Sequence, residues 1–95
     1  MIVLQSTYIT DSATRELHLA AHLEWVGEGF STKRFIAAGA RSDSSGATIL
    51  VRSATMDEVA DLLAVDPFVI HGVATYEALE FEPGLVADDC HTING

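Results

Sequence analysis

One short stretch, Asp66-Pro67-Phe68-Val69-Ile70-His71-Gly72, restricts the fold of this chain more than any other. Pro67 fixes its own φ and disfavours the helical region for Asp66, so a helix that precedes this stretch must end here. Gly72 can adopt a positive φ, which lets the chain reverse into a following strand. Asp66 is therefore either a polar cap at a helix stop or a carboxylate held rigidly to face another residue, for which His22 is the natural candidate.

Four stretches of the sequence have the composition of β-strands. β-Branched, aromatic or apolar residues dominate residues 2–9, 35–40, 47–53 and 73–82. The segment between the second and third of these is polar and small, as in a hairpin loop. Pro83-Gly84 ends the last strand, and we expect residues 84–95 to form the tail of a single domain spanning residues 1–95.

A long helix is predicted between the first two strands. Asp11 or Ser12 can cap a helix over about residues 13–31, in which Gly27 and Gly29 weaken the helical tendency. The predicted core-facing stripe recurs at spacings of four, three and four and consists of Leu19, Leu23, Val26 and Phe30.

A shorter helix follows the third strand, because Thr55 and Glu58 match a capping box. Its predicted buried face consists of Val59, Leu62 and Leu63. The resulting order, β-α-β-β-α-β, is that of the ferredoxin-like α+β fold, in which two helices cover one face of an antiparallel sheet.

Both faces of the predicted sheet carry apolar side chains. Ile2 and Leu4 point to one face, whereas Val3 points to the other. A chain with two helices cannot cover both faces, so we expect a second copy to cover the second face in a homodimer.

The charge balance excludes some classes of partner. The formal net charge is −9 and only five residues are Lys or Arg, so a polyanion such as nucleic acid would be repelled. A small anionic ligand could still be held by one or two of these cations. The sequence has no apolar run of membrane-spanning length, no signal-peptide pattern and a single cysteine, Cys90, so we expect a cytoplasmic protein without an internal disulfide.

His22 is the first candidate for chemistry. At 100° per residue it lies about 60° from the centre of the predicted stripe, at the boundary between core and solvent. Such a histidine is commonly a solvated surface residue. Beside a carboxylate, however, it can act as a general base near neutral pH, because the carboxylate fixes the ring tautomer and favours the imidazolium.

Other histidines offer alternatives to this assignment. His18 lies one turn before His22, a spacing that suits a metal ion, but no third ligand is apparent, so neither a metal site nor a cofactor is expected. His71 follows the turn at Asp66 and either lines the same pocket or is incidental. The pair Cys90-His91 lies in the tail, where a nucleophilic role is not expected.

Taken together, these residues resemble the YCII-related (YciI-like) family from the first strand to Phe81. The resemblance rests on His22, on Ala38-Gly39 and on Asp66-Pro67-Phe68-Val69 followed by Gly72-Val73. It implies a ferredoxin-like protomer in a dimeric α+β barrel, with a cleft lined by a histidine and an aspartate that correspond to His22 and Asp66. It also implies acid–base chemistry on small molecules, of the dehydrochlorinase or muconolactone-isomerase type.

The sequence departs from the family pattern at two places. Ala40 replaces the usual proline after Ala-Gly, which affects the edge of the pocket. The glycine that usually ends the first helix is replaced near Lys33-Arg34, which either extends the helix or supplies a cation.

These observations lead to one functional hypothesis and its alternatives. His22 is expected to act as general base or acid with Asp66 as its orienter, and Arg34 and His71 to bind a small, carboxylated organic substrate in an isomerisation or elimination. The alternatives are a dimeric module that binds a small ligand without turnover, and a structural dimer in which the histidine and the aspartate simply satisfy each other's hydrogen bonds.

Overall fold

The structure of the protein is a computed structural model that describes residues 1–87. It contains the strands and helices in the predicted order. One short helix, Pro67–Ile70, is added to the predicted order. Among these residues, none of the helices has the length and apolar character needed to span a bilayer. The pair Cys90-His91 lies outside the described residues. The elements are β1 (Ile2–Tyr8), α1 (Ser12–Ser31), β2 (Phe35–Ala40), β3 (Ala47–Val51), α2 (Met56–Ala64), α3 (Pro67–Ile70) and β4 (Ala74–Glu80).

The four strands form one antiparallel sheet in the order β2-β3-β1-β4. β1 lies inside the sheet, where Leu4 pairs with Ile49 of β3 and with Ala78 of β4. The first and last strands are thus neighbours although most of the chain separates them. This strand order, with helices packed on the sheet, confirms the ferredoxin-like α+β fold.

The two faces of the sheet differ in burial, as the alternation of side chains along a strand requires. Ile2 and Leu4 are fully buried beneath the helices. On the opposite face, Val3 pairs with Leu50 and with Leu79, and Leu79 is 66% exposed in the single chain. The main core consists of Ile2, Leu4, Trp25, Phe35, Ile49, Val51 and Val59.

The predicted apolar stripe of α1 is wrong in part. Leu23 and Phe30 are 56% and 41% exposed, whereas the buried positions are His22, Trp25 and Gly29. The helix is therefore rotated from the predicted orientation, and His22 lies on the buried face rather than at its boundary.

The position of Gly29 explains why the hydropathy pattern predicted the wrong buried face for this helix. Gly29 packs against the ring of Phe35, and a Cβ atom at this position would overlap that ring. Close approach of the helix to β2 thus depends on a residue that contributes no apolar side chain. Gly27, by contrast, faces open space.

Helix α1 ends where the sequence departs from the family pattern, so it is not extended. Lys33 adopts a φ of 62°, and its N–H donates to the Phe30 carbonyl at 3.0 Å. The N–H of Arg34 donates to the Gly29 carbonyl at 2.9 Å. This bond pattern is a Schellman motif, with lysine at the left-handed position that usually carries glycine.

The predicted start of α2 is confirmed. The N–H of Glu58 donates to the Thr55 hydroxyl at 3.1 Å, and the N–H of Thr55 donates to the Glu58 carboxylate at 3.0 Å, which completes a capping box. After α2 the chain does not simply reverse. It forms the four-residue helix α3, which begins at Pro67, and then turns at Gly72 with the expected positive φ of 65°.

Candidate active site

Asp66 is fixed by the junction between α2 and α3. Its extended backbone, with φ −69° and ψ 121°, is the conformation that a following proline favours. Its Oδ1 atom accepts a hydrogen bond from the N–H of Phe68 at 3.0 Å, so Asp66 caps α3. The side chain is completely buried. The carboxylate is therefore both a helix cap and an immobilised group inside the protein.

His22 reaches this carboxylate from the middle of α1. The Nδ1 atom of His22 and the Oδ1 atom of Asp66 lie 2.8 Å apart, within the range of a charge-assisted hydrogen bond. Because an ionised carboxylate can only accept, Nδ1–H donates and the neutral ring has its lone pair on Nε2. The expected contact between these two side chains is confirmed.

Tyr76 provides a further partner that was not among the predicted site residues. Its hydroxyl donates to Oδ2 of Asp66 at 2.7 Å. Burial, and then the hydrogen bond to Asp66 and the charge of that carboxylate, raise the pKa of Tyr76 far above its usual value. The hydroxyl therefore remains a donor over the physiological range. Among residues 1–87, Asp66 accepts from a backbone amide, an imidazole and a phenol.

One sequence signal for Tyr76 exists, although it is weak. Side chains alternate along β4, so Tyr76 shares the helix-facing side of the sheet with the buried residue Ala74. A tyrosine on a buried face needs a partner for its hydroxyl. The signal does not say which element supplies that partner, because this depends on where α3 packs.

Aromatic rings hold the imidazole of His22 in place. The Phe68 ring lies parallel to it, with 3.9 Å between centroids and 3° between planes, and the Trp25 ring lies 5.7 Å away. The indole N–H of Trp25 donates to the Leu62 carbonyl at 3.1 Å, which joins this group to α2. The hydrogen bond to Asp66 and the stacked Phe68 together fix the position and the plane of the ring.

The second ring nitrogen of His22 remains available. Nε2 has no hydrogen-bond partner among the described residues. Every fully buried side-chain nitrogen and oxygen in this part of the chain has such a partner, so Nε2 must retain contact with solvent. A ring with Nδ1–H tied to a buried carboxylate and Nε2 open can accept a proton at Nε2 and later return it.

The two predicted substrate-binding residues lie at different distances from this pair. His71, which caps the end of α3, stacks on His18 with 4.0 Å between ring centroids, and His18 is one helical turn from His22. Arg34 lies beyond the end of α1, and His22 precedes that end by nine residues, or about 13 Å along the axis. The structure thus brings His22 and Asp66 together, places His71 against His18, and separates Arg34 from the pair.

The histidines do not form a metal centre with other ligands in the described chain. Among residues 1–87, no group of three or more His, Cys, Asp or Glu side chains is arranged to hold a metal ion. His18 and His71 lie face to face, with 8° between their planes, rather than converging on a common point.

The fold and the family can now be stated together. The strand order and the packed helices define an α+β protein of the ferredoxin-like type. A sequence profile of the YCII-related domain matches residues 1–82, so the protein belongs to the YCII-related family. No curated protein matches the sequence.

A solved structure agrees with this fold. The chain is similar to the 5-chloro-2-hydroxyhydroquinone dehydrochlorinase of Burkholderia phenoliruptrix AC1100 in its complex with 2,5-dihydroxybenzoquinone, with a TM-score of 0.69 and 19% sequence identity. The match covers 88% of this chain and 96% of that one. At this level of identity the likeness establishes the fold alone.

Proposed function

We propose that the protein is an enzyme that moves a proton on a small, carboxylated organic molecule, with His22 as the general base and acid and Asp66 as its orienter. The observation that carries this proposal is the 2.8 Å hydrogen bond from Nδ1 to a fully buried carboxylate, which leaves Nε2 open. A surface histidine would need neither a buried partner nor a stacked ring.

The proposed chemistry follows from the open nitrogen. Nε2 removes a proton from a carbon that is acidified by a neighbouring carbonyl group, and Asp66 stabilises the imidazolium that forms. In an isomerisation, the imidazolium returns the proton to a different carbon. In an elimination, the electrons of the broken C–H bond form a C=C bond, and a leaving group such as chloride departs with its own electron pair. The dehydrochlorinase named above makes elimination a reasonable class to test first.

The remaining assignments belong to the same proposal. His71 stacks on His18, which lies one helical turn from His22, and His71 is proposed to contact the substrate. Arg34 is distant from His22. It contacts the same substrate only if that molecule is long enough to span the distance, and otherwise it has a role at another position. The proposed enzyme is cytoplasmic and homodimeric.

The test uses solvent deuterium and a panel of small acids and chlorinated hydroquinones. Wild-type protein in D₂O should release chloride from a substrate or exchange one of its C–H protons, as followed by ¹H NMR. His22→Gln should lower this rate by about 10²–10⁴-fold, the usual contribution of a general base. Tyr8→Phe is the matched control, since Tyr8 packs against Phe68 but is not bonded to Asp66.

Two outcomes would contradict the proposal. A compound that binds near His22 without exchange or chloride release would favour the non-catalytic binding module. A rate that His22→Gln leaves unchanged would mean that another group is the base.

A further inference from the structure

A cavity of about 240 Å³ lies at the end of α1, away from the candidate active site. The chain has only five Lys and Arg residues against a net charge of −9, and three of them line this cavity. Because the protein is acidic overall, this local concentration of basic side chains suggests a binding site for an anion. The lining residues are Lys33, Arg34, Val51, Arg52, Ser53, Ala54, Glu58, Val59 and Leu62.

Hydrogen bonds hold the backbone of this cluster in a fixed arrangement. The N–H of Arg52 donates to the Arg34 carbonyl at 2.9 Å, and Nε of Arg52 donates to the Lys33 carbonyl at 2.8 Å. The end of β3 is therefore fastened to the end of α1. The positions from which the three cations project are set by the fold.

Among residues 1–87, the lining of the cavity has more basic than acidic side chains. Glu58 is the acidic side chain that the described residues contribute to the lining, and hydrogen bonds with Thr55 lower its pKa, with a smaller contribution from Arg34. Its carboxylate is engaged in the capping box of α2. Among residues 1–87, Lys33 and Arg34 thus bring two positive charges to a lining whose one acid, Glu58, already has hydrogen-bond partners.

Apart from Ser53, the other described lining residues of the cavity are apolar. Val51 and Val59 are 2% and 3% exposed and belong to the main core, and Leu62 packs against that core. A ligand that fits this lining combines an anionic group with an apolar body. A volume of about 240 Å³ suits a small molecule, below the usual range for drug-sized ligands.

Lys33 distinguishes a binding site from a simple helix cap. Cations near the end of a helix stabilise its dipole, and the bond from Arg52 to the Lys33 carbonyl serves this purpose. Capping does not require lysine at the left-handed position, where glycine avoids backbone strain. The lysine at φ 62° therefore weakens the backbone preference for this turn while adding a charge to the cavity.

We propose that this cavity binds a small organic carboxylate, with the carboxylate held by Lys33 and Arg34 and the apolar body packed on Val51, Val59 and Leu62. The proposal goes beyond the acid–base chemistry of His22 and does not depend on it, because neither His22 nor Asp66 lines this cavity.

The test is an NMR titration of the full-length, ¹⁵N-labelled protein with benzoate at constant ionic strength. Saturable shifts are expected at the amides of Lys33, Arg52 and Val59. Lys33→Gly and Arg34→Gln should each weaken binding by about fivefold, the upper range for one exposed charge contact. Lys33→Gly should at the same time keep or raise the melting temperature, because glycine suits the positive φ. Loss of binding could then not be attributed to unfolding.

The controls distinguish specific binding of benzoate in this cavity from a general attraction between benzoate and the cations of the protein. Arg15→Gln removes the same charge from the opposite end of α1, where Arg15 lies over the Tyr8 ring, and should leave benzoate binding unchanged. Benzamide, which has the same ring without the charge, should bind more weakly than benzoate. The absence of shifts at the lining amides, or equal weakening by Arg15→Gln, would overturn the proposal. Inorganic phosphate that binds as tightly as benzoate would overturn the assignment to an organic acid, because phosphate cannot use the apolar floor.

Discussion

At Asp66, a single side chain supplies acceptors to three donors from different parts of the described chain. The contact between His22 and Asp66 could be predicted, since Pro67 immobilises the aspartate and a carboxylate is one of the groups that fix the tautomer of a histidine acting as a base. The contribution of Tyr76 could not be predicted, because it depends on the register of β4 and on the packing of a four-residue helix that no periodic pattern signals.

Asp66→Asn and Asp66→Ala should have different effects on stability. An asparagine oxygen can still accept from Phe68 N–H and from His22, while its NH₂ donates to a reoriented Tyr76 hydroxyl. An alanine leaves three buried donors without an acceptor, at a cost of about 1–3 kcal/mol for each. Urea denaturation should therefore give Asp66→Asn a free energy of unfolding near that of the wild type and Asp66→Ala a much lower one.

The same two variants test the hydrogen bond to His22 directly. The Nδ1–H proton of His22 should resonate far downfield in the wild type, move upfield when the acceptor is a neutral amide, and be lost by exchange with water in Asp66→Ala. A resonance that is unchanged in Asp66→Asn would mean that the carboxylate does not accept this bond.

Tyr76→Phe should reveal a pH dependence of stability. It removes the donor to Oδ2 and should lower the free energy of unfolding by about 1–3 kcal/mol at neutral pH. The pKa of Tyr76 is raised in the folded protein, so this stabilisation is complete below the unfolded value of about 10 and decreases as the pH rises further. Denaturation curves from pH 7 to 11 should show the gap between the wild type and Tyr76→Phe shrinking above pH 10.

Tyr8→Phe is the control for this series. Tyr8 packs edge-on against Phe68, and its hydroxyl is bonded to none of the described residues. A similar decrease in the gap between the wild type and Tyr8→Phe would indicate a general effect of alkali.

At the scale of the element, α1 shows what hydropathy can and cannot predict. The length of the helix and its cap followed from sequence, with Asp11 accepting from the Thr14 N–H at 2.8 Å. The orientation did not follow, because the apolar side chains of Leu23 and Phe30 outweighed Gly29 in the pattern. Shape rather than hydrophobicity decides which side of this helix meets β2.

Two glycines of the same helix provide a matched pair of substitutions. Gly29→Ala should lower the free energy of unfolding by about 1–3 kcal/mol, because the new methyl group overlaps the buried Phe35 ring. Gly27→Ala faces open space and should raise it by about 0.5–1 kcal/mol through its helix propensity. Chemical denaturation of both variants would measure these changes. A stabilising Gly29→Ala would contradict the packing described for this face.

At the scale of the whole molecule, the homodimer is motivated by the sheet face opposite the helices of residues 1–87. Val3 pairs with Leu50 on one side and Leu79 on the other, which makes an apolar row across β3, β1 and β4. Sedimentation at micromolar concentration should give twice the chain mass. Leu79→Glu should shift the protein towards the monomer, because it places a charge in this row.

The control for the dimer is Leu17→Glu, which places the same charge on the exposed surface of α1, where Leu17 is 79% exposed. It should leave the sedimentation unchanged. A wild-type monomer throughout the micromolar range, or equal dissociation by both variants, would argue against an interface on the sheet.

The position of Asp66 has a consequence for how lineages of this fold can diverge. An acceptor at this position would be retained by a descendant that had lost all turnover, because the amide of Phe68 and the hydroxyl of Tyr76 would still need it. The ring at His22 would be retained in the same way by its stacking on Phe68. The presence of both His22 and Asp66 in a related protein therefore does not distinguish an active enzyme from one that has lost its activity. Access to Nε2 does, because no contact among residues 1–87 requires that nitrogen to stay open.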